Sequence, residues 1–142
     1  MATSNAATTF LENKILNFLF KNNAGSFLTP GDNIYVGLAT AVSSAEGGSV
    51  TEATFTNYAR QQKAASTWTV PSTATDAQIA TTTQIEFPAS GGTNNTITHV
   101  FIASAASGGD IYFIGALDAS KVIASGDSVY GEFILTDYKV EE

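Results

Sequence analysis

Apolar side chains recur with two different periods along the first third of the chain. Leu11, Ile15, Phe18 and Leu19 stand at i, i+4, i+7 and i+8, the spacing of one face of an α-helix. Thr9-Phe10-Leu11-Glu12 reads as a capping box, and Lys21 followed by Asn22-Asn23-Ala24-Gly25 reads as a stop. These signals predict a helix over 9–22. The eight residues before it, MATSNAAT, are small and polar and are expected to form a loose arm. The helix has a narrow polar face of Asn13, Lys14, Asn17 and Lys21. Its apolar arc spans about 200°, against the stripe of about 100° on an ordinary surface helix. Either the helix is sunk deep in its own domain, or it is shared with a partner chain.

Beyond the turn signal Pro30-Gly31-Asp32 the period becomes two. Ile34, Val36 and Leu38 alternate with Tyr35, Gly37 and Ala39, which predicts a strand. Residues 41–57 form a polar run rich in Gly, Ser and Thr and read as a long loop. Strands are predicted at 58–64 and 66–70, then a loop over 71–80, then a half-buried strand through Thr83, Ile85 and Phe87 that stops at Pro88. Ile97 to Ala103 and Ile111 to Leu117 are apolar on both faces and read as central strands. Ser107-Gly108-Gly109-Asp110 joins them, Ser125-Gly126-Asp127 turns the chain again, and a last strand runs over 129–138. The pattern is mainly β: a β-sandwich or jelly-roll-like barrel of seven to eight short antiparallel strands with one N-terminal α-helix. It fills a single domain over 9–142, after the arm 1–8.

Composition narrows the chemistry. The 142 residues are one domain's worth of chain, and 44% hydrophobic content is enough to form a core. Charged residues are only 13%, about half the usual ~25%, so Thr, Ser, Asn, Gln and Gly must supply the polar surface. The absence of cysteine excludes disulfides, thiolate metal sites and a cysteine nucleophile. With six cations and a net charge of −7, nucleic-acid binding is not expected. No apolar run approaches the ~20 residues of a membrane-spanning helix, so no membrane partner is expected either. No basic residue precedes an apolar stretch at the start, so a secretory signal is not expected.

Candidate catalytic groups are few. His99 is the sole imidazole, so a Ser–His–Asp triad would have to use it. Its place inside an apolar strand favours a half-buried histidine with one hydrogen bond. Asp32, Asp110, Asp118 and Asp127 would serve as a carboxylate pair or as calcium ligands, but aspartate near glycine is ordinary turn chemistry. The glycine pairs at 47–48, 91–92 and 108–109 lack nucleotide-binding spacing. Arg60, the sole arginine, sits between Tyr58 and a glutamine pair. It reads as an exposed strand cation, or as a clamp on a carboxylate or an aromatic face at an interface. Trp68 reads as core or as an interface anchor. We therefore expect no catalytic residue, no cofactor and no metal. The interface candidates are Phe10, Leu11, Ile15, Phe18 and Leu19 on the helix, then Arg60 and the 41–57 loop.

The succession Tyr35-Val36-Gly37-Leu38, Tyr58-Ala59-Arg60, Ile85-Glu86-Phe87-Pro88-Ala89, Ile97-Thr98-His99-Val100, Ala105-Ala106-Ser107-Gly108-Gly109, Tyr112-Phe113-Ile114-Gly115-Ala116-Leu117 and Val122-Ile123-Ala124-Ser125-Gly126-Asp127 resembles a family of small tailed-bacteriophage virion proteins. They are commonly labelled tail fibre proteins, and related small β-proteins serve as head decoration (cement) proteins. The resemblance covers about residues 11–136, and its motifs concern packing and turns. It implies a non-enzymatic protein of the virion, assembled in the bacterial host cytoplasm. Its partners would be the major capsid protein or tail proteins, and it would form a homo-oligomer, typically a trimer. The chain shows no coiled-coil or β-helical shaft pattern, which favours capsid decoration. A small tail fibre or tail-tip protein that binds a host receptor or glycan is the alternative.

Overall fold

A computed structural model describes residues 6–21, 34–69, 79–81, 84–131 and 134–135. The element order is β1 (Ala6–Ala7), α1 (Thr9–Lys21), β2 (Ile34–Ser44), β3 (Ser49–Glu52), β4 (Gln61–Lys63), a 3₁₀ turn (Ala65–Thr67), β5 (Trp68–Thr69), β6 (Ile79–Thr81), β7 (Ile85–Glu86), β8 (Asn95–Ala103), β9 (Ile111–Ile123), β10 (Tyr130–Gly131) and β11 (Ile134–Leu135). A six-stranded sheet runs β1-β9-β8-β2-β3, with β4 also paired to β2. β7 and β10 form a two-stranded ribbon, and β5, β6 and β11 a three-stranded sheet. Every pairing is antiparallel. The mainly β class with one N-terminal helix is as the sequence predicts, and β8 and β9 are both interior strands of the large sheet.

The two faces of that sheet read directly from the alternation in β2. Val36 and Leu38 point to one face and meet Ile97, Ile123, Ile85 and Phe87. Further along the same face, Ala7 and Leu11 cover Ile102 and Tyr112. Gly37 and Ala39 point to the other face, where Phe101, Ala103 and Ile114 are fully enclosed. The second face is closed by the sheet itself. Register shifts at Ala39/Ala41 and Val42/Ser44 bend the β2–β3 hairpin, as bulges do. Val42, Val50 and Ala45 then pack on Ile111 and Ile114. The hairpin tip reaches the far edge: the Thr9 N–H donates to the Glu46 carbonyl at 2.8 Å. The curl is barrel-like, and the ribbon β7–β10 makes a sandwich layer on the first face.

Several boundaries differ from the sequence prediction for identifiable reasons. Nearly half of the polar run 41–57 is strand rather than loop. Residues 41–44 extend β2 and 49–52 form β3, and exposed hydroxyls tie them, with Ser43 Oγ 2.7 Å from Ser49 Oγ. A hairpin whose outer face is solvated needs no apolar alternation, so the period-two signal is lost. The predicted strand 58–64 is only 61–63, and 66–70 shrinks to 68–69 behind the 3₁₀ turn. The arm is anchored from Ala6 onwards. β1 pairs Ala6 with Ile114 and Ala7 with Phe113, and Ala7 and Thr8 are buried. The helix cap is Thr8, not Thr9: its hydroxyl accepts the Leu11 N–H at 3.4 Å and donates to the Ile111 carbonyl. Asp118 lies within β9 rather than in a turn. The turn at 30–32, the helix stop at 22–25, most of the 71–80 loop, Thr83 and residues 136–142 lie outside the described residues.

Between β3 and β4 the chain leaves the edge of β2 and returns. Over this gap Leu38 keeps both backbone partners. Its carbonyl accepts the Ala53 N–H at 2.9 Å, and its N–H donates to the Tyr58 hydroxyl at 3.0 Å. Ala53 and Phe55 are buried in the first core. Asn95 holds the excursion in place, its Oδ1 accepting the Thr54 and Phe55 N–H groups at 2.6 and 2.9 Å.

Candidate interaction surface

The helix is firmly seated at its start and exposed towards its end. Phe10, Leu11 and Ile15 face the sheet, with Phe10 tilted on Tyr112 at 6.0 Å between centroids. Lys14 covers the outer side of the Phe10 ring at 5.2 Å. The following turns place large apolar side chains in water: Leu16 49%, Phe18 45%, Leu19 64% and Phe20 79% exposed. The six sequence candidates thus separate. Phe10, Leu11 and Ile15 bind the helix to its own domain, while Phe18 and Leu19 belong to the outward surface. Leu16 and Phe20 share that surface and were missed, although the 200° arc already contained them. The first half of the helix is core, as the first alternative has it, and the second half presents its apolar side chains to solvent.

Arg60 is not an exposed strand cation: its side chain is 6% accessible. Its Nε and Nη2 donate to the two oxygens of Glu52, each at 2.8 Å. Its Nη1 donates to the Ala105 and Gly108 carbonyls at 2.8 and 2.7 Å, and its guanidinium lies over the Phe101 ring at 5.0 Å. Sequence reasoning had both contacts, a carboxylate and an aromatic face, but placed them at an interface. Here they are internal and join the 53–60 excursion to the β8–β9 turn. The Tyr58 hydroxyl donates to Glu52 Oε1 at 2.7 Å. Burial raises the Tyr58 pKa, and Glu52 adds to this, against the opposing Leu38 N–H. Burial also pushes the Glu52 carboxyl up, but the hydrogen bonds from Arg60 and Tyr58 and the Arg60 charge outweigh it. Glu52 is held below the ordinary carboxylate range.

Among the described residues the remaining titratable groups make no converging constellation. His99 Nδ1 is 2.7 Å from Thr98 Oγ1, and burial lowers its pKa. Asp127 does turn work, accepting the Ala124 N–H at 2.9 Å. Asp110 and Asp118 are exposed, and Asp32 lies outside the described residues. Among the described residues no group of three or more His, Asp or Glu is placed to hold a metal ion. No described helix is long and apolar enough to cross a membrane. Trp68 is half-buried, packed against both the first core and the helix cluster.

A second apolar feature lies on the first face, between the large sheet and the β7–β10 ribbon. It is a cleft of about 350 Å³. Leu38, Ile97 and Val100 form its floor and Phe87 a wall, and Lys121, Ser128 and Tyr130 stand at its mouth. The Tyr130 ring is 65% exposed there.

These features define a class: a curled antiparallel β domain that holds a short helix and presents the helix's apolar end to its surroundings. The chain belongs to the Gp80 family, described as podophage GP4 fiber I protein gp80, whose model matches residues 6–136. It is thus a phage virion structural protein of the fibre type. No curated protein matches the chain.

Proposed function

We propose that this chain is a non-enzymatic fibre subunit of a podophage-type virion, built into its assembly through the apolar end of α1. The observation that carries this reading is the set Leu16, Leu19 and Phe20, held outwards by a helix whose other end is locked to the sheet. Large apolar surfaces of this kind mark protein–protein contacts. The chemistry agrees. Glu52 is neutralised by Arg60, His99 is engaged with Thr98, and Asp127 is occupied in a turn. The family description supports a fibre; in this reading virion tail proteins are its partners and a host receptor or glycan its target.

Capsid decoration, with the major capsid protein as partner, is the second reading. It is favoured by the described residues, which hold one 13-residue helix and a curled sheet but no coiled-coil or β-helical shaft. Mass-spectrometric quantification of purified virions separates the two. A few tens of copies or fewer per particle supports the fibre. A number near that of the major shell protein supports decoration. Absence from the particle refutes both.

A further inference from the structure

We propose that the cleft between the large sheet and the β7–β10 ribbon binds a free single-chain amphiphile, its alkyl tail on the apolar floor and its anionic head at Lys121. The site goes beyond the fibre reading and does not depend on it. Its size fits such a ligand. Small-molecule sites occupy about 300–1,000 Å³, and this cleft holds about 350 Å³. An apolar cavity of about 150 Å³ takes one benzene, so the cleft matches one alkyl tail of roughly ten to fourteen carbons, not the two tails of a bilayer lipid. Leu38, Ile97 and Val100 on the floor, with Leu117 and Ile123 also in the lining, have side chains that offer no hydrogen bond. The hydroxyls of a glycan would be stranded on them. Twelve described residues line the cleft, against about 20–30 on each side of a stable protein interface.

Lys121 sets the sign of the head group. It is the one charged residue among the described residues that line the cleft. Its strand partner is Ile97, on the floor. Partners across an antiparallel pair share a face, so the Lys121 stem lies along the cleft and its ammonium stands in water at the mouth. The acids closest in sequence do not compete for it. Glu86 alternates with Ile85 and Phe87, which line the cleft, so its side chain leaves by the opposite face of the ribbon. Asp127 accepts the Ala124 N–H at 2.9 Å. The chain has 13 acids against six cations, yet among the described residues Lys121 has no carboxylate partner, whereas Arg60 is held by Glu52. An unpaired ammonium beside an apolar floor attracts an anion more strongly than one in open water.

The test is isothermal titration calorimetry of the full chain with decanoate, kept below its micelle concentration. Wild type should bind one decanoate per chain. 1-Decanol and decylammonium carry the same tail and should bind more weakly, decylammonium least. Lys121→Gln should weaken decanoate binding about five- to tenfold and leave decanol binding unchanged, so that the loss reads charge and not fold. Ser128→Trp, at an exposed position of the mouth, should block all three ligands while circular dichroism stays that of wild type. Absence of saturable decanoate binding overturns the proposal. So do equal affinities for decanoate and decylammonium, and decanoate binding that either substitution leaves unchanged. Wild-type binding to vesicles of anionic phospholipid, or to a second copy in sedimentation velocity, that Ser128→Trp abolishes and decanoate does not compete also overturns it, since a membrane or another chain would then fill the cleft. None of these outcomes alters the copy number in virions, on which the fibre reading stands or falls.

Discussion

Replacing Arg60 tests whether the Glu52–Arg60 pair is a structural staple. Arg60→Ala removes four hydrogen bonds, two to a carboxylate and two to the carbonyls of the β8–β9 turn, together with the stack on Phe101. Hydrogen bonds to charged groups contribute about 1.5–3 kcal/mol each, and breaking a buried pair costs about 3–5 kcal/mol. Glu52 is 31% accessible and can recover part of its hydration, which moves the expected loss to the low end, about 3 kcal/mol. Against a total of about 5–15 kcal/mol for a domain, that is a major fraction. At about 2–4 °C per kcal/mol for a chain of this length, Tm should fall by roughly 6–12 °C. Arg60→Lys keeps the charge but loses the fork and the stack, and should lie between wild type and Arg60→Ala. Urea unfolding followed by the fluorescence of Trp68, the sole tryptophan, supplies the measurement. A loss below about 1 kcal/mol, within the range of ordinary exposed pairs, would refute the staple. So would strict additivity with Glu52→Gln, because residues sharing these bonds must couple.

The same carboxylate sets an acid limit. The folded Glu52 pKa is lowered from 4.5, so its contribution is complete above that value and is lost as pH falls through the lower folded pKa. Urea midpoints between pH 3 and 7 should fall more steeply below pH 4.5 for wild type than for Glu52→Gln, and parallel curves would count against the linkage. Gly37→Ala should destabilise by about 1–3 kcal/mol, because the added Cβ would sit 2.2 Å from the Phe101 ring tip. An unchanged thermal midpoint would mean that the ring moves aside freely. Asn95→Ala should cost about 1–3 kcal/mol by stranding the Thr54 and Phe55 N–H groups. Faster hydrogen exchange confined to residues 53–60 would locate the effect.

What the sequence revealed depended on whether burial imposed a period. β8 and the first halves of β9 and β2 are largely enclosed, and their runs of Ile, Val, Phe and Ala were legible as strands, with β8 and β9 as central ones. The β2–β3 hairpin was not, because its stability comes from register, bulges and hydroxyl contacts on a solvated face. The Tyr58 substitution for a missing strand at Leu38 is also invisible locally, since its partner lies 20 residues away. Arg60 shows a related limit. Its residue type announced a carboxylate clamp and an aromatic stack, but only the fold decides that Glu52 and Phe101 of the same chain supply them. On the helix, the wide apolar arc announced more contact than one sheet can provide. Which residues faced outwards depended on where the sheet ends beneath α1.

That apolar end works as a contact only if the helix presents it in a fixed position, and Thr8 is the residue that fixes it. Its backbone N–H donates to the Tyr112 carbonyl at 2.9 Å, while its hydroxyl caps Leu11 and reaches the Ile111 carbonyl. It is 1% exposed. Thr8→Ala should cost about 1–2 kcal/mol through the lost cap, little of it global, because the sheet cores do not involve this residue. The loss should be local, with earlier opening of α1 amides in hydrogen exchange and unchanged exchange in β8. A helix that samples other positions must be ordered again on association, at about 0.5–1.5 kcal/mol for each side chain immobilised. Incorporation into virions through this helix end should therefore weaken although Leu19 and Phe20 are untouched. If α1 exchange accelerates while incorporation is unaffected, pre-organisation is not what Thr8 provides. If α1 exchange does not change, the cap is redundant with β1 and Phe10.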